Sequence, residues 1–248
     1  MFYFFIQART GSTRLPNKVL LPFHNNKSIL DIIVKKLKIS FEEIPIVICT
    51  SNKMEDNDIE SFCSSNSVEC FRGDEKNVLK RFVAAASVYQ AENIIRICAD
   101  NPFLDMIFLK ELISEFKRKE GLDYLSFATS TGIPVIKTHF GFFAEIVTKR
   151  ALEKTHNLTQ DPFFLEHVTN YIYSNSLFNC EYLPLPSEIQ NRNDLRFTID
   201  NQSDFQLLSS IYSIYELNSY DLKKTIDHVD ANSSILDVMK ENILKFSK

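Results

Sequence analysis

The stretch FYFFIQARTGSTRLPNKVLLPF (Phe2–Phe23) joins an apolar run to a cationic loop. The run Phe2–Ile6 is apolar and aromatic throughout, which predicts a strand buried on both faces of a sheet. The loop that follows carries one glycine and three cations: Arg9, Arg14 and Lys18. Ligands of open parallel sheets bind beyond the carboxyl ends of the strands, so this loop is the first place where we expect a binding site.

Apolar strands alternate with amphipathic helices through the first half of the chain. The predicted strands are Phe2–Ile6, Ile44–Cys49, Ser67–Phe71, Asn93–Cys98 and Tyr124–Phe127. The predicted helices are Ile29–Lys38 with Ser28 as its cap, Met54–Ser64, Glu75–Tyr89 and Met106–Lys119. Continuous apolar strands between amphipathic helices predict an α/β fold with a mostly parallel sheet that helices cover on both faces.

The pattern changes after Ala128. Residues 129–146, TSTGIPVIKTHFGFFAEI, read as extended and partly antiparallel. Helices are then predicted at Lys149–Thr155 and Pro162–Ser174, strands at Asn179–Leu183 and Leu195–Ile199, and three helices at 203–215, 220–228 and 233–246. The last three would pack on the sheet or form a homodimer contact. With no repeat or linker, we predict one domain over residues 1–248, with an insertion at about 130–190 that shapes an acceptor pocket.

Composition excludes several classes of protein. The 248 residues are 44% hydrophobic and 24% charged, with a formal net charge of -4 and no long basic stripe. Nucleic-acid binding is therefore not expected, and the apolar runs are too short to span a membrane. Five cysteines without a C-x-x-C motif indicate thiols in a reducing compartment, and we expect a cytoplasmic protein.

The cationic loop fits none of the common phosphate motifs. Counting from Gly11, the second glycine, the lysine and the Ser/Thr of a P-loop are replaced by Pro16, Asn17 and Lys18. A single glycine also rules out the G-x-G-x-x-G dinucleotide fingerprint. Forked arginine donors, a lysine and successive loop amides nevertheless suit a nucleoside triphosphate, whose charge such cations and Mg²⁺ commonly offset.

Two aspartates follow predicted strands at their carboxyl ends. Asp100 comes after Asn93–Cys98, and Asp200 comes after Leu195–Ile199. If the two strands are near neighbours, both carboxylates enter one crevice, and carboxylates are the ligands that Mg²⁺ prefers. The alternative is that each aspartate belongs only to the turn and cap of the helix that follows.

At this point the sequence resembles a family. QARTGSTRLPNKVL (7–20) closely resembles the opening of spore-coat polysaccharide-type cytidylyltransferases, which are related to CMP-Kdo synthetases and acylneuraminate cytidylyltransferases. Further matches follow in order: FRGDEKNVLKRF (71–82), RICADNPFLD (96–105), EHVTNYI (166–172) and LRFTIDNQSDF (195–205). The resemblance covers about residues 2–215 and implies a GT-A-like, Rossmann-like fold.

The resemblance also implies an activity. Such enzymes transfer CMP from CTP to a sugar acid or similar acceptor, release pyrophosphate and supply nucleotide-sugars for surface glycans. A sugar phosphate or polyol phosphate acceptor, giving a CDP-linked product, is the alternative within the same class. A non-catalytic nucleotide-binding relative and a glycosyltransferase are the alternatives from other classes, although the D-x-D motif usual in the latter is not found at a strand end.

Residue roles follow from the same resemblance. Catalytic roles fall to Lys18, Arg14 and Asp100, and Mg²⁺ would be held by Asp100 and Asp200. Nucleotide binding falls to Ala8, Arg9, Gly11, Ser12, Arg14, Lys18 and Arg72. Acceptor binding falls to Glu145, Glu166 and His167. Two alternatives stay open: Arg72 as a surface ion pair with Asp74 or Glu75, and His167 as a structural histidine.

One stretch departs from the family. Where relatives commonly read G-L-D-x-E-V, this chain has GFFAEI (Gly141–Ile146), so Phe143 replaces an acidic residue while Glu145 is kept. Residues two apart on a strand share a face, so both side chains are expected in the acceptor site. An aromatic ring in place of a carboxylate predicts an acceptor that is less polar at that position. The alternative is that Phe143 points into the core.

Overall fold

The first strand is an interior strand of a seven-stranded sheet in the computed structural model, which describes residues 1–246. The strands are β1 Phe2–Gln7, β2 Ile46–Ser51, β3 Glu69–Gly73, β4 Asn93–Cys98, β5 Tyr124–Ala128, β6 Glu145–Thr148 and β7 Cys180–Pro184. Their order is β3-β2-β1-β4-β6-β5-β7. Only β6 runs against its neighbours β4 and β5 among the strands of the described residues.

Helices cover both faces of this sheet. They are α1 Ile29–Ser40, α2 Asn57–Ser65, α3 Val78–Val88, α4 Met106–Arg118, α5 Lys149–Leu158, α6 Pro162–Glu166, α7 Asn170–Tyr173, α8 Gln202–Leu217, α9 Leu222–Asp230 and α10 Ser233–Lys245. The predicted α/β fold, a mostly parallel sheet flanked by helices, is confirmed. In the described part of the chain, no helix combines the length and the apolar character that crossing a bilayer demands.

Two apolar cores lie on opposite faces of the sheet. Phe4 and Phe5 are adjacent in β1 and both are buried, because side chains alternate between the faces of a strand. Phe4 packs in the core that includes residues of α1, α4 and the C-terminal helices α8 to α10. Phe5 packs in the smaller core of α3, α5 and α7. The C-terminal helices therefore pack onto the body of the protein.

One predicted strand is wrong. The segment Leu195–Ile199 is buried and alternates like a strand, but it does not join the sheet. It runs instead between loops: the Phe197 N–H donates to the His139 carbonyl at 2.7 Å, and the Ile199 N–H donates to the Asp100 carbonyl at 3.1 Å. The second of these bonds places the start of α8 beside the end of β4.

Smaller differences concern helices. The predicted helix Pro162–Ser174 is broken into α6 and α7 at His167, whose backbone leaves the helical region. The predicted helix from Met54 begins as a 3₁₀ turn, Met54–Asp56, before α2. Helix α1 begins as predicted, because Ser28 and Asp31 form a reciprocal capping box.

Candidate functional site

The loop after β1 is anchored by a buried carboxylate. Asp56 Oδ1 accepts from the Thr10 N–H at 2.7 Å and from its hydroxyl at 2.8 Å. Its other oxygen accepts from the N–H and the hydroxyl of Ser51 at the end of β2. Further along the loop, Asn17 takes a left-handed conformation (φ 59°) that asparagine tolerates better than most residues. The loop therefore has a defined shape before any ligand arrives.

Lys18, in the loop after β1, lies beside the residues that follow β4 and beside the end of the segment Leu195–Ile199. Its amine donates to Asp100 Oδ2 at 3.3 Å and to the Ile199 carbonyl at 2.5 Å. It also lies 4.0 Å from Asp200 Oδ1, and its side chain is only 12% exposed. The two aspartates predicted to share a crevice thus face one ammonium group, although the second follows an extended segment and not a strand.

Neither aspartate caps a helix. Helix α4 is capped by Asp105, and α8 is capped by Asn201, which forms a capping box with Asp204. The segment 200–204 does form the cap of α8, as the alternative proposed, but through Asn201 and Asp204 and not through the Asp200 side chain. Both carboxylates are left to face the loop cations.

A buried arginine that the sequence did not indicate as functional fixes Asp200. The Arg196 side chain is 1% exposed and donates to Asp200 Oδ2 at 2.8 Å. The same guanidinium binds both oxygens of Asp204, each at 2.8 Å. From the solvent side, Arg14 donates to Asp200 Oδ1 at 2.9 Å, and its guanidinium lies 5.1 Å from the ring centroid of Phe246. The sequence did contain a signal for a buried role of Arg196, because this charged residue lies within the largely apolar segment 195–199.

A cleft of about 310 Å³ opens beside these groups. Its walls include most of the predicted nucleotide and metal residues: Ala8, Arg9, Ser12, Arg14, Lys18, Asp100 and Asp200. Glu166 and His167, predicted at the acceptor, line the same cleft. Gly11 belongs to the loop but is not among the lining residues.

Glu166 and His167 reach the cleft from the break between α6 and α7. Glu166 lies 3.9 Å from the Arg9 guanidinium, and both side chains are about half exposed. Burial lowers the pKa of His167, and the nearby Glu166 charge opposes that shift only in part. The residue is nevertheless exposed to solvent, so its imidazole can exchange protons with a ligand in the cleft.

Arg72 lies apart from this cleft. Its guanidinium donates to Glu60 and Asn57 and to the Ser51 and Lys53 carbonyls, so it ties β3 to α2. The structure thus gives Arg72 an ion pair, with a different partner from the Asp74 or Glu75 that the sequence suggested. A structural role accounts for all of these contacts.

Arg81 occupies the place expected for Arg72. It lines the cleft, is buried, and donates to the Asp74 carbonyl, while its Nε–H has no hydrogen-bond partner among the described residues. Gly73 makes room for it, since a Cβ there would lie 2.8 Å from Arg81 Cγ. The sequence signal for a buried Arg81 was its position on α3 directly before the apolar Phe82.

A second, smaller cavity of about 70 Å³ adjoins the cleft, and Cys98 and Asp100 line both. Phe143 and Glu145 both line it, as the two-residue spacing predicts. The Phe143 ring also packs against Phe108 and Phe127, with centroids 5.1 and 4.8 Å away. The two alternatives for Phe143 are therefore both true in part: one side belongs to the core and the other to the cavity wall.

Glu145 is already saturated with hydrogen bonds. Its Oε1 accepts from Arg96 at 2.6 Å and from the Thr169 hydroxyl at 2.8 Å, while Oε2 accepts from the Tyr124 hydroxyl at 2.5 Å. Arg96 stands opposite Glu145 in the β4–β6 register and also binds Gln7. Both members of this pair are buried, so the pair holds the wall of the cavity in place.

The carboxylates near Lys18 fit a magnesium ion that arrives with a triphosphate. Mg²⁺ commonly takes one or two carboxylates and completes its shell with phosphate oxygens and water. Asp100 and Asp200 supply two such ligands at one point. Within residues 1–246, no group of three or more His, Cys, Asp or Glu side chains is arranged to hold an ion. The donor set therefore suits shared coordination with a ligand.

Comparisons with known proteins show the family and the fold of this chain. The family model "Cytidylyltransferase" matches residues 3–227. An uncharacterized protein of Methanocaldococcus jannaschii is 38% identical over 234 residues, which cover 94% of this chain and 92% of the relative. The spore coat polysaccharide biosynthesis protein SpsF of Bacillus subtilis is 33% identical over 215 residues, covering 84% and 85%. A cytidylyltransferase structure from Leptospira borgpetersenii superposes with a TM-score of 0.80 at 29% identity, covering 95% and 96%.

Proposed function

Because the chain belongs to the cytidylyltransferase family, we propose that it transfers CMP from CTP to a hydroxyl group of a sugar acid or similar acceptor and releases pyrophosphate. The Bacillus subtilis relative is named for polysaccharide biosynthesis, and we extend that role to this chain. The product would be an activated sugar for surface glycans. A sugar phosphate or polyol phosphate acceptor, giving a CDP-linked product, remains the alternative.

One observation carries the proposal: the Lys18 amine lies within 4.0 Å of both Asp100 and Asp200. A lysine and two carboxylates at one point can bind a triphosphate together with its metal ion. The cluster is neutral as it stands, because three cations (Arg14, Lys18, Arg196) match three anions (Asp100, Asp200, Asp204). A magnesium-bound triphosphate carries about two negative charges. Arg81 in the cleft wall is placed to offset part of that charge, and Arg9 can contribute when it exchanges its contact with Glu166 for a phosphate.

The residues of the cleft divide the chemistry among them. Asp100 and Asp200 would hold Mg²⁺, which neutralises the developing charge and orients the leaving pyrophosphate. The rigid loop from Ala8 to Lys18 binds the phosphates through its amides and cations, and Lys18 stabilises the charge that grows on the α-phosphate. The Ser12 hydroxyl, on a loop residue that lines the cleft, would donate to a phosphate oxygen.

The acceptor would enter from the small cavity, because Cys98 and Asp100 line both spaces. We place its hydroxyl beside the α-phosphate, on the side away from the pyrophosphate, because in-line attack requires that arrangement. His167, which lines the cleft beside Glu166, is our candidate to accept the hydroxyl proton. Glu166 would position the acceptor, while Glu145 acts through the wall that it holds with Arg96.

The test is pyrophosphate release by the purified protein with Mg²⁺, each of the four ribonucleoside triphosphates, and a panel of sugar acids and sugar phosphates. CTP with one class of acceptor should give the fastest release. Phosphorus NMR then separates a CMP-linked product, with one phosphorus, from a CDP-linked product, with two. Faster turnover with another nucleotide would overturn the proposal.

A further inference from the structure

The small cavity contains three buried polar atoms that no described residue satisfies with a well-formed hydrogen bond, although the Ser126 hydroxyl lies close enough to the Tyr124 hydroxyl to interact with it weakly. They are Asn101 Oδ1, Ser126 Oγ and Thr198 Oγ1. These residues are 8%, 0% and 3% exposed, and all three line the cavity. Buried polar groups in folded proteins almost always have partners. Three exceptions around one cavity indicate that the partner is a molecule that enters it.

The charged groups of the cavity are, in contrast, already paired. Arg96 is bound to Glu145 and Gln7, and the remaining Glu145 oxygen is bound to Tyr124. Arg96 is the single cation among the residues that line the cavity in the described chain, whereas Asp100 adds a negative charge. A carboxylate or phosphate placed inside would therefore meet a net negative wall and no available cation.

The size and chemistry of the cavity further restrict the kind of ligand that can bind in it. A volume of about 70 Å³ has room for about five water-sized groups, which is part of a sugar and not a whole one. Val135 and Phe143 make one wall apolar. Asn101 Oδ1 requires a donor, and the hydroxyls of Ser126 and Thr198 accept either a donor or an acceptor. A ligand hydroxyl can bond to any of the three atoms, because it both donates and accepts hydrogen bonds. A deprotonated acid cannot donate to Asn101.

On the premise of the CMP transfer proposed above, we propose that Asn101, Ser126 and Thr198 bind the hydroxyl groups of an uncharged, hydroxylated end of the acceptor. The carboxylate or phosphate of that acceptor lies outside the cavity, toward the cations of the cleft. The apolar edge of the bound end packs on Phe143. The three polar residues thus determine which hydroxylated end is accepted, and the cleft determines which acid.

Kinetics of Ser126→Ala and Thr198→Val test this assignment, because each change removes one hydroxyl with little change of shape. With the acceptor that turns over fastest in the panel, each variant should raise the acceptor KM by roughly tenfold and leave the KM for CTP unchanged. A deoxygenated analogue lacking the contacted hydroxyl should show no such difference. Thr155→Val is the control, because Thr155 is also a fully buried threonine but lies in α5, outside the cavity.

Thermal unfolding of the ligand-free variants supplies a second test that needs no acceptor. Hydroxyls kept for a ligand add nothing to the stability of the free protein, so both variants should unfold at the wild-type temperature or above it. Hydroxyls kept for internal water should instead lower the unfolding temperature by several degrees, which would overturn the proposal. An unchanged acceptor KM in both variants would overturn it as well.

Calorimetric titration with CTP distinguishes a failure of the proposed CMP transfer from a failure of the role proposed for the cavity. A protein that fails to bind CTP would contradict the proposed function. A protein that binds CTP and uses an acceptor, but whose Ser126→Ala and Thr198→Val variants retain wild-type acceptor kinetics, would contradict only the role of the cavity.

Discussion

Asp56 accepts two hydrogen bonds from Thr10 on one oxygen, from the backbone N–H at 2.7 Å and from the hydroxyl at 2.8 Å. Its other oxygen is bound to Ser51 at the end of β2. A residue between β2 and β3 thereby fixes the loop after β1, before any ligand contributes. The shape of the nucleotide loop is a property of the folded sheet.

Asp56→Asn should lower the free energy of unfolding by roughly 2 kcal/mol, because the amide nitrogen cannot accept the bonds it replaces. Burial alone would raise the pKa of Asp56, but the bonds from Ser51 and Thr10 outweigh it and hold that pKa below its usual range. The stabilisation is therefore present above about pH 4 and lost as the pH falls through the folded-state pKa. Urea unfolding at pH 7 and below pH 4 should show the difference between wild type and variant shrinking in acid. The exposed Asp58→Asn is the control, and an equal loss of stability in both variants would contradict the prediction.

Lys18→Ala should reduce kcat/KM for CTP by roughly 100-fold or more, which corresponds to about 3 kcal/mol of transition-state stabilisation. The reason is that Lys18 is the group that contacts both Asp100 and the segment carrying Asp200. Steady-state pyrophosphate release measures the effect. Lys223→Ala, which removes an exposed lysine on α9, should retain wild-type kinetics, and an unchanged kcat/KM in the Lys18 variant would remove that residue from the mechanism.

Asp100→Asn and Asp200→Asn should both abolish most turnover, with only partial rescue by added Mg²⁺, because each loses a hard anionic ligand. Their stabilities should differ. Asp200 is bound to the buried Arg196, so its loss leaves a guanidinium short of a partner and should lower the unfolding temperature by several degrees. Asp100→Asn should unfold near the wild-type temperature. Calorimetry and magnesium titrations measure both effects, and full activity in either variant would exclude that carboxylate as a metal ligand.

Arg81→Gln should raise the KM for CTP by roughly tenfold, since its guanidinium lines the cleft with an N–H that has no partner in the described structure. Arg72→Gln is the matched control, because that side chain is engaged with Glu60 and lies outside the cleft. Comparing the two KM values decides the assignment. An equal rise of the KM for CTP in both variants would contradict a specific role of Arg81 in binding CTP.

The sheet was largely predictable from its strands, and the reason is visible in β4. Asn93–Cys98 is a continuous apolar run, and the observed strand has the same bounds. The segment Leu195–Ile199 is buried like β4, yet it makes isolated bonds to loops. Burial makes the side chains of both segments largely apolar, while membership of a sheet depends on a partner strand that the sequence does not identify.

The site was predictable where its residues follow strand ends along the chain, as Lys18 and Asp100 do. Arg81 and Arg196 were missed because an arginine in an amphipathic or apolar segment is usually exposed, and only the fold reveals that each is buried. Glu145 was predicted at the acceptor, but its saturation by Arg96 follows from the antiparallel register of β6. That register depends on contacts between segments far apart in sequence.

The contact of Arg14 with Phe246 has a practical consequence for experiments with this protein. An affinity tag or a fluorescent fusion placed after Lys248 stands two residues from Phe246, which contacts a cation of the nucleotide loop. A polyhistidine tag there would bring imidazoles and bound nickel within a short stretch of chain from the cleft proposed to hold Mg²⁺. Met1 precedes β1 at the amino end of that strand, about 20 Å along the strand from the nucleotide loop that follows it. A tag at the amino terminus is therefore the better choice for kinetic work.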